Sequence, residues 1–202
     1  MISLTDKSDR TVRFDLFERL NTGAISLTPQ EVRSAVYRGR FIDFVEELAQ
    51  SADFLSLLKL QETNQNDGTA AEQVVKFFAY KNNQAGFKGA VTHFLNDYVA
   101  SASEEFDYTT ERRIFNQTFK FLADAVAGPF LRTNTSVTPL VQFEASAVGV
   151  ARLIESDRTP RIPSANWVDD KELVSASTGG TNTRSMLARR IDRAVVIFSG
   201  DD

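Results

Sequence analysis

The chain has 202 residues, a formal net charge of −4 at pH 7 and a pI of about 5.2. This length allows one large or two small domains, and the acidic balance argues against a protein that coats nucleic acid by bulk charge, although not against a local basic patch. The sequence contains no cysteine, which excludes disulfides, thiolate metal sites and cysteine nucleophiles.

Other catalytic chemistry is also restricted. His93 is the only histidine, whereas a histidine-dependent metal nuclease needs more than one, and no Gly-x-x-x-x-Gly-Lys-Ser/Thr phosphate loop is present. A lone histidine without a nucleophile and an acid beside it is typical of a structural residue.

The first ten residues do not form a signal-peptide pattern, and no apolar run reaches about 18 residues. We therefore expect a soluble, cytoplasmic protein with no membrane partner.

Hydrophobic periodicity predicts a mainly α fold, an irregular multi-helix bundle of about eight helices, since no clear alternating strand pattern is present. The first helix is expected at about 10–21. The second begins at Thr28–Pro29 and runs to about Arg38, where Gly39 breaks or bends it before a continuation through Leu48. Further helical segments are expected at about 54–58, 71–82, 91–98, 109–127, 139–156, 169–174 and 183–198.

These segments predict one helical domain over residues 1–202. Residues 1–9 form an extended lead-in, 10–127 a helical core, and 139–202 a set of C-terminal helices that pack on it. Sixteen phenylalanines supply much of the apolar bulk. The small residues of 145–149 indicate close packing of their helix against a neighbour, and Trp167 is interpreted as part of the core.

The segment Phe14–Tyr37 carries the signals of two helices joined by a polar turn. Asn21–Gly23 is typical of a helix C-terminus, since glycine readily adopts the left-handed conformation there. Thr28 is a favourable N-cap, and Glu31 stands at the third helical position, so the two residues predict a capping box. Each part of this corner thus has a structural reason to be there.

The same corner resembles a known family. Residues 17–33 are similar to the GmrS-type family of modification-dependent restriction proteins, which have a ParB/sulfiredoxin-like N-terminal domain. The segments near 75–80, 94–98, 143–149 and 177–185 also resemble that family's helical half. Ala24 departs from the pattern, because a second glycine is usual there. The residues that fit the corner motif are Phe17, Arg19, Leu20, Asn21, Thr22, Gly23, Leu27, Glu31 and Arg33.

The resemblance implies the C-terminal helical half of the family's N-terminal module. The Asp-Gly-Gln-Gln-Arg motif, which the family associates with nucleotide binding, is absent from this sequence, and so is the His-Asn-His nuclease half. The parent family consists of restriction endonucleases and NTP hydrolases. We therefore expect this chain to have no catalytic or metal-binding residues and no cofactor of its own. Its implied partners are an α/β ParB-like half or a nuclease subunit, with DNA, a nucleotide and a divalent metal in the complete module.

Two sets of residues are candidates for binding phosphate. The first follows from the resemblance and from chemistry, since a guanidinium forks onto phosphate and the N–H groups of a turn can face an anion. Its structural alternative is a C-cap followed by a capping box, with Arg19 paired to a nearby acid. Arg33 lies elsewhere on the helix, and its expected partner is either Glu47 or a phosphate. The first set comprises Arg19, Asn21, Thr22, Gly23, Glu31 and Arg33.

The second set surrounds the start of the last helix, which Arg189 and Arg193 make the most basic element of the chain. Glycine amides before a helix, together with an arginine, can bind an anion, whereas a solvated basic face is the alternative interpretation. The clustered acids at 169–172 are interpreted as a helix start. The second set comprises Gly179, Gly180, Asn182, Arg184 and Arg190.

Two other functions are compatible with this sequence. One is a stand-alone helical protein-interaction module with an exposed apolar groove, and the other is a DNA-binding protein that uses the C-terminal arginines. A DNA-binding protein should lose affinity steeply with salt, whereas an apolar groove should not.

Overall fold

The computed structural model describes residues 27–64, 67–163 and 166–200. Within these ranges the chain is mainly helical and contains no strand, which confirms the predicted fold class. The predicted lead-in at 1–9 and first helix at 10–21 lie outside the described residues. The α-helices are α1 Pro29–Val36, α2 Arg40–Leu48, α3 Ala52–Leu57, α4 Thr69–Asn83, α5 Val91–Glu104, α6 Tyr108–Val126, α7 Leu140–Glu155, α8 Lys171–Ala176 and α9 Arg184–Ser199.

Most helix ends lie close to their predicted positions, because local signals determine them. Gly39, with a φ of +149°, separates α1 from α2. Asp170 caps α8 by accepting a hydrogen bond from the backbone N–H of Leu173 at 2.8 Å, which confirms the predicted acidic helix start. The apolar stripe at 91–98 predicts helix α5, and the structure extends the helix beyond that stripe. It continues to Glu104 because Val99 and Ala102 extend its buried face.

The core is rich in aromatic side chains. A connected cluster of buried residues includes side chains from α2 through α9. Phe77 of α4 packs edge-to-face on Phe115 of α6 with ring centroids 5.5 Å apart, and Phe54 of α3 packs in the same way on Phe119 at 5.0 Å. Each such aromatic pair contributes about 0.5–1.5 kcal/mol beyond its area burial. These contacts hold the sequentially distant helices α3, α4 and α6 together.

Helix α7 passes through the centre of the bundle. Its residues from Gln142 to Ala151 are all buried, and it contacts α4, α6 and α9. Where α9 crosses, a Cβ added to Gly149 would lie 2.7 Å from the Cβ of Ala194 and 3.0 Å from the backbone nitrogen of Val195. The predicted close packing of the small residues of this helix is therefore confirmed.

The loop after α6 is tied down by hydrogen bonds and aromatic packing. The backbone N–H of Phe130 donates to the carbonyl of Leu57 at 2.9 Å. Trp167, in the 3₁₀ turn Trp167–Asp169, packs between Phe130 and Phe198 with centroid distances of 5.5 and 4.8 Å. Trp167 is therefore a core residue, as predicted.

None of the helices in the described parts of the chain combines sufficient length with sufficient apolar character to cross a bilayer.

The close crossing of α7 and α9 predicts that Gly149→Ala destabilises the protein by about 1–3 kcal/mol. The alanine gains about 1 kcal/mol in helix propensity, but its methyl group would overlap backbone atoms of α9, which are not free to move. Chemical denaturation measures the change. The double variant Gly149→Ala/Ala194→Gly should recover part of the loss, and an unchanged stability in the single variant would contradict this packing.

Candidate functional site

The first candidate set is only partly within the described residues. Arg19, Asn21, Thr22 and Gly23 lie outside them. Glu31 and Arg33 are both on α1, and the described contacts of these two side chains are to other residues of the chain.

Glu31 forms the predicted capping box. Its Oε2 accepts a hydrogen bond from the backbone N–H of Thr28 at 2.7 Å, and Thr28 Oγ1 accepts one from the backbone N–H of Glu31 at 3.2 Å. The Thr28 hydroxyl also donates to the carbonyl of Asp67 at 2.8 Å, which ties the start of α1 to the residues just before α4. The carboxylate is thus used at a helix N-terminus, and its negative charge makes it an unfavourable contact for a phosphate.

Arg33 is completely buried, with 0% of its surface exposed. Its Nε donates to Oδ1 of Asn96 on α5 at 2.9 Å, and its Nη1 donates to Oε1 of Gln30. Glu72 of α4 lies 3.7 Å from Nη1. Burial lowers the pKa of Arg33, while the Glu72 carboxylate acts in the opposite direction. Arg33 therefore joins α1 to α4 and α5.

The interpretation that Arg33 faces Glu47 is wrong. Glu47 of α2 instead forms a two-pronged pair with Arg112 of α6, in which Nη2 of Arg112 lies 2.7 Å from Oε2 of Glu47. The sequence pattern could not distinguish Glu47 from Glu72 as the acid that faces Arg33, because it does not show which helices are neighbours.

Lys76 connects Glu72 to a second carboxylate in the centre of the bundle. The ammonium of Lys76 lies 3.1 Å from Oε1 of Glu72 and 3.1 Å from Oε1 of Glu144 on α7. Glu144 is only 4% exposed. Burial lowers the pKa of Lys76, but the carboxylates of Glu144 and Glu72 outweigh burial and raise it well above its ordinary value. Lys76 is therefore charged at neutral pH.

Arg190 of α9 is a further buried cation and is 1% exposed. Its Nη1 donates to the carbonyl of Thr181 at 2.8 Å. Burial lowers the pKa of Arg190, and the charge of Glu144 acts in the opposite direction. The prediction of a solvated basic face is therefore wrong for Arg190, because α9 turns this residue towards α7.

We call Arg33, Glu72, Lys76, Glu144 and Arg190 the buried ionic chain. It contains three cations and two carboxylates: ion pairs connect Arg33 of α1, Glu72 and Lys76 of α4 and Glu144 of α7, while the charge of Glu144 also acts on Arg190 of α9. Two guanidinium nitrogens in it, Nη2 of Arg33 and Nε of Arg190, are buried without a hydrogen-bond partner. Burying such donors is costly, and the cost is tolerated only where the remaining contacts compensate for it.

The buried ionic chain is suited to holding charges in place rather than to transferring protons. The phenol of Tyr80 lies near it, and burial followed by the charge of Glu144 raises the Tyr80 pKa above its ordinary value. Tyr80 and Lys76 thus both keep their protons at neutral pH. General acid–base catalysis needs a group that titrates near the working pH, and neither of these two does.

The second candidate set surrounds a loop whose inner side is fixed. Gly179 and Gly180 adopt φ values of +64° and +56°, which favour glycine. The carbonyl oxygen of Asn182 approaches Gly89 so closely that a Cβ there would be 2.8 Å away. Thr183 then caps α9 by accepting a hydrogen bond from the N–H of Met186 at 3.2 Å.

The remaining basic residues near this loop differ in their surroundings. Arg193 pairs with Asp170 of the α8 cap at 2.8 Å. Arg184 and Arg189 are exposed, as the solvated-face interpretation predicts. Arg184 is therefore exposed beside the loop, whereas the buried Arg190 holds the loop through its hydrogen bond to the carbonyl of Thr181.

His93 is exposed on α5, so it does not pack in the core. Within the described ranges, no group of three or more histidine, cysteine, aspartate or glutamate side chains is arranged to hold a metal ion.

Sequence reasoning missed most members of the buried ionic chain, although two signals pointed to them. Glu72 and Lys76 stand four residues apart, which places them on the same helix face. Glu144 interrupts the otherwise apolar and small residues of α7. Neither signal indicates the partner on another helix.

The chain was also compared with known proteins. No family model matches it, and no match was found among the curated proteins or among the solved structures. The resemblance to GmrS-type proteins therefore stays a prediction.

The pairing of Lys76 predicts that Lys76→Met destabilises the protein by about 3 kcal/mol, because it leaves the buried Glu144 with less compensating charge. The matched control is Lys120→Met. Lys120 forms an exposed pair with Asp124, and its loss should cost less than about 1 kcal/mol. Urea denaturation of both variants measures the difference, and equal losses would show that Lys76 is not electrostatically important. The double variant Lys76→Met/Glu144→Met should regain part of the loss.

Proposed function

We propose that this chain is the non-catalytic helical portion of a GmrS-type restriction or phage-defence protein. In this proposal it completes a nucleotide- or DNA-sensing module whose other part is a ParB-like α/β half or a nuclease subunit. A nucleotide and a divalent metal would belong to the complete module. The proposal rests on the resemblance of residues 17–33 and on the surroundings of the part of that motif that the structure describes.

The observation that supports it best is the complete burial of Arg33. The guanidinium contacts Asn96, Gln30 and Glu72, which belong to three different helices, and is shielded from solvent. Glu31 is likewise used in a capping box. The second half of the motif thus has a structural role, which fits a chain that supplies a rigid support while another polypeptide supplies the chemistry.

The position of α1 supports the same division of roles. The Thr28 hydroxyl is tied to Asp67 before α4, and Arg33 is tied to α4 and α5. The start of α1 therefore has a defined place relative to the bundle. A docking element that is rigid before it meets its partner loses less conformational entropy on binding than a flexible one.

The two alternative functions have less support. For a DNA-binding protein that uses the last helix, Arg190 is buried and Arg193 is paired with Asp170, which leaves Arg184 and Arg189 as the exposed arginines of α9. For an apolar interaction groove, the large exposed apolar side chains of the described residues are few: Leu27, Leu55 and Ile162. Single exposed apolar residues are common on protein surfaces.

The proposal predicts that the purified chain alone neither hydrolyses NTPs nor cleaves DNA in the presence of Mg²⁺. Mixed with a ParB-like half that carries the Asp-Gly-Gln-Gln-Arg motif, it should form a complex that binds nucleotide. Gel filtration measures complex formation, and equilibrium dialysis with radiolabelled ATP measures binding.

Two variants make this experiment specific. Arg19→Ala should weaken nucleotide binding by the complex, whereas Arg113→Ala, which removes an exposed arginine of α6, should leave it unchanged. Metal-dependent turnover by this chain alone would contradict the proposal, and so would the absence of a complex.

A further inference from the structure

An open cavity of about 730 Å³ lies apart from the buried ionic chain. It is bounded by the turn at 132–135, the 3₁₀ turn Trp167–Asp169 and helix α8. Its volume falls within the range of about 300–1,000 Å³ that is typical of small-molecule sites. The polar side chains that line it include Arg132, Thr135, Asp169, Lys171, Ser175 and Thr178.

The charges of this cavity are not balanced internally. Among the residues that the structure describes, neither Arg132 nor Lys171 forms an ion pair. The carboxylate of Asp169 is already engaged, since it accepts hydrogen bonds from the backbone N–H of Thr133 at 3.2 Å and from the Thr133 hydroxyl. The cavity therefore presents two cations and one carboxylate, whose hydrogen bonds to Thr133 leave its negative charge in place.

One donor in the wall lacks an acceptor. Nε of Arg132 is buried and has no hydrogen-bond partner. A buried guanidinium N–H without an acceptor costs free energy, and because Nε is closed to solvent the Arg132 side chain must shift before an anionic oxygen in the cavity can accept from it. The hydroxyls of Thr135 and Thr178 already donate to the carbonyls of Arg132 and Val174, so they can only accept from a ligand, whereas the Ser175 hydroxyl can donate and accept.

The walls are held by the core, so the cavity exists before any ligand enters. Phe130, two residues before Arg132, is fully buried against Trp167. On the other wall, Asp170 caps α8 and pairs with Arg193 of α9. Leu173 of α8 is fully buried as well. A preformed site loses little conformational entropy when it binds a ligand.

We propose that this cavity binds a small molecule that carries a phosphate group and hydroxyl groups. Arg132 and Lys171 contact the phosphate, and the side-chain hydroxyls of Thr135, Ser175 and Thr178 contact the hydroxyl groups. A concave site of this volume suits a small ligand rather than a DNA duplex, whose backbone needs a row of exposed cations. This site is independent of the proposed function, which concerns the opposite end of the chain.

Trp167 provides the readout for a binding test, because it is the only tryptophan of the chain and its turn forms part of the cavity wall. Glycerol 3-phosphate and inorganic phosphate are titrated into the protein while tryptophan fluorescence is recorded. Both should give saturable changes, with glycerol 3-phosphate binding at about 1 mM or below. Glycerol alone should give none. Isothermal titration calorimetry provides a second measurement that does not depend on the tryptophan.

Two variants test the assigned contacts. Arg132→Met and Lys171→Gln should each weaken binding of glycerol 3-phosphate by about tenfold. Lys171 is exposed, so its replacement should not affect folding, and circular dichroism checks both variants. The matched control is Lys120→Gln, an equal change of charge on the exposed surface of α6. It should bind like the unsubstituted protein.

Three results would overturn the proposal. The first is no saturable binding of either phosphate compound by the unsubstituted protein. The second is binding that both cavity variants retain in full. The third is a DNA oligonucleotide that binds through Arg132 and Lys171 with a steep salt dependence while glycerol 3-phosphate does not bind, because that result would assign these cations to a nucleic-acid surface.

Discussion

A buried carboxylate constrains the centre of this structure. Glu144 lies in the middle of α7 and is almost fully removed from water, where an unpaired negative charge would cost several kcal/mol. Lys76 of α4 lies 3.1 Å away, and the charge of Glu144 also acts on the buried Arg190 of α9. Helix α4 must therefore approach α7 at this level of the bundle.

The aromatic core and the buried ionic chain specify different things. Contacts such as that between Phe77 and Phe115 contribute strongly to stability, but apolar packing tolerates many arrangements of similar volume. Ion pairs and hydrogen bonds depend more strongly on distance and direction. We infer that the phenylalanines drive the helices together, while the contacts of Arg33, Lys76 and Arg190 select the register in which they pack. The same contacts connect α1, which carries the end of the family-like motif, to the loop before α9.

Features that depend on neighbouring residues were predictable from the sequence. The capping box of Thr28 and Glu31, the break at Gly39 and the acidic start of α8 at Asp170 each depend on a few consecutive positions, and the structure contains all three. The predicted core position of Trp167 is also correct, since a large apolar side chain is strongly favoured inside.

Features that depend on distant residues were predicted less well. Arg33 was assigned Glu47 or a phosphate, but its partners on other helices are Asn96 and Glu72, and no local pattern identifies them. Arg190 was assigned to an exposed face, although it stands three residues after Leu187, on the buried side of α9. The assignment was based on the charge of Arg190 rather than on its place along the helix. The cations of the cavity, Arg132 and Lys171, are on separate segments that only tertiary packing brings together.

We infer that the buried ionic chain holds α1 on the bundle. Hydrogen–deuterium exchange of the variant Arg33→Met tests it most directly, because methionine keeps much of the apolar volume and removes the contacts to Asn96, Gln30 and Glu72. We expect faster exchange of the α1 amides while those of α6 stay protected, and no change in the control Arg113→Met. Unchanged protection of α1, or an equal loss of protection in all helices, would contradict it.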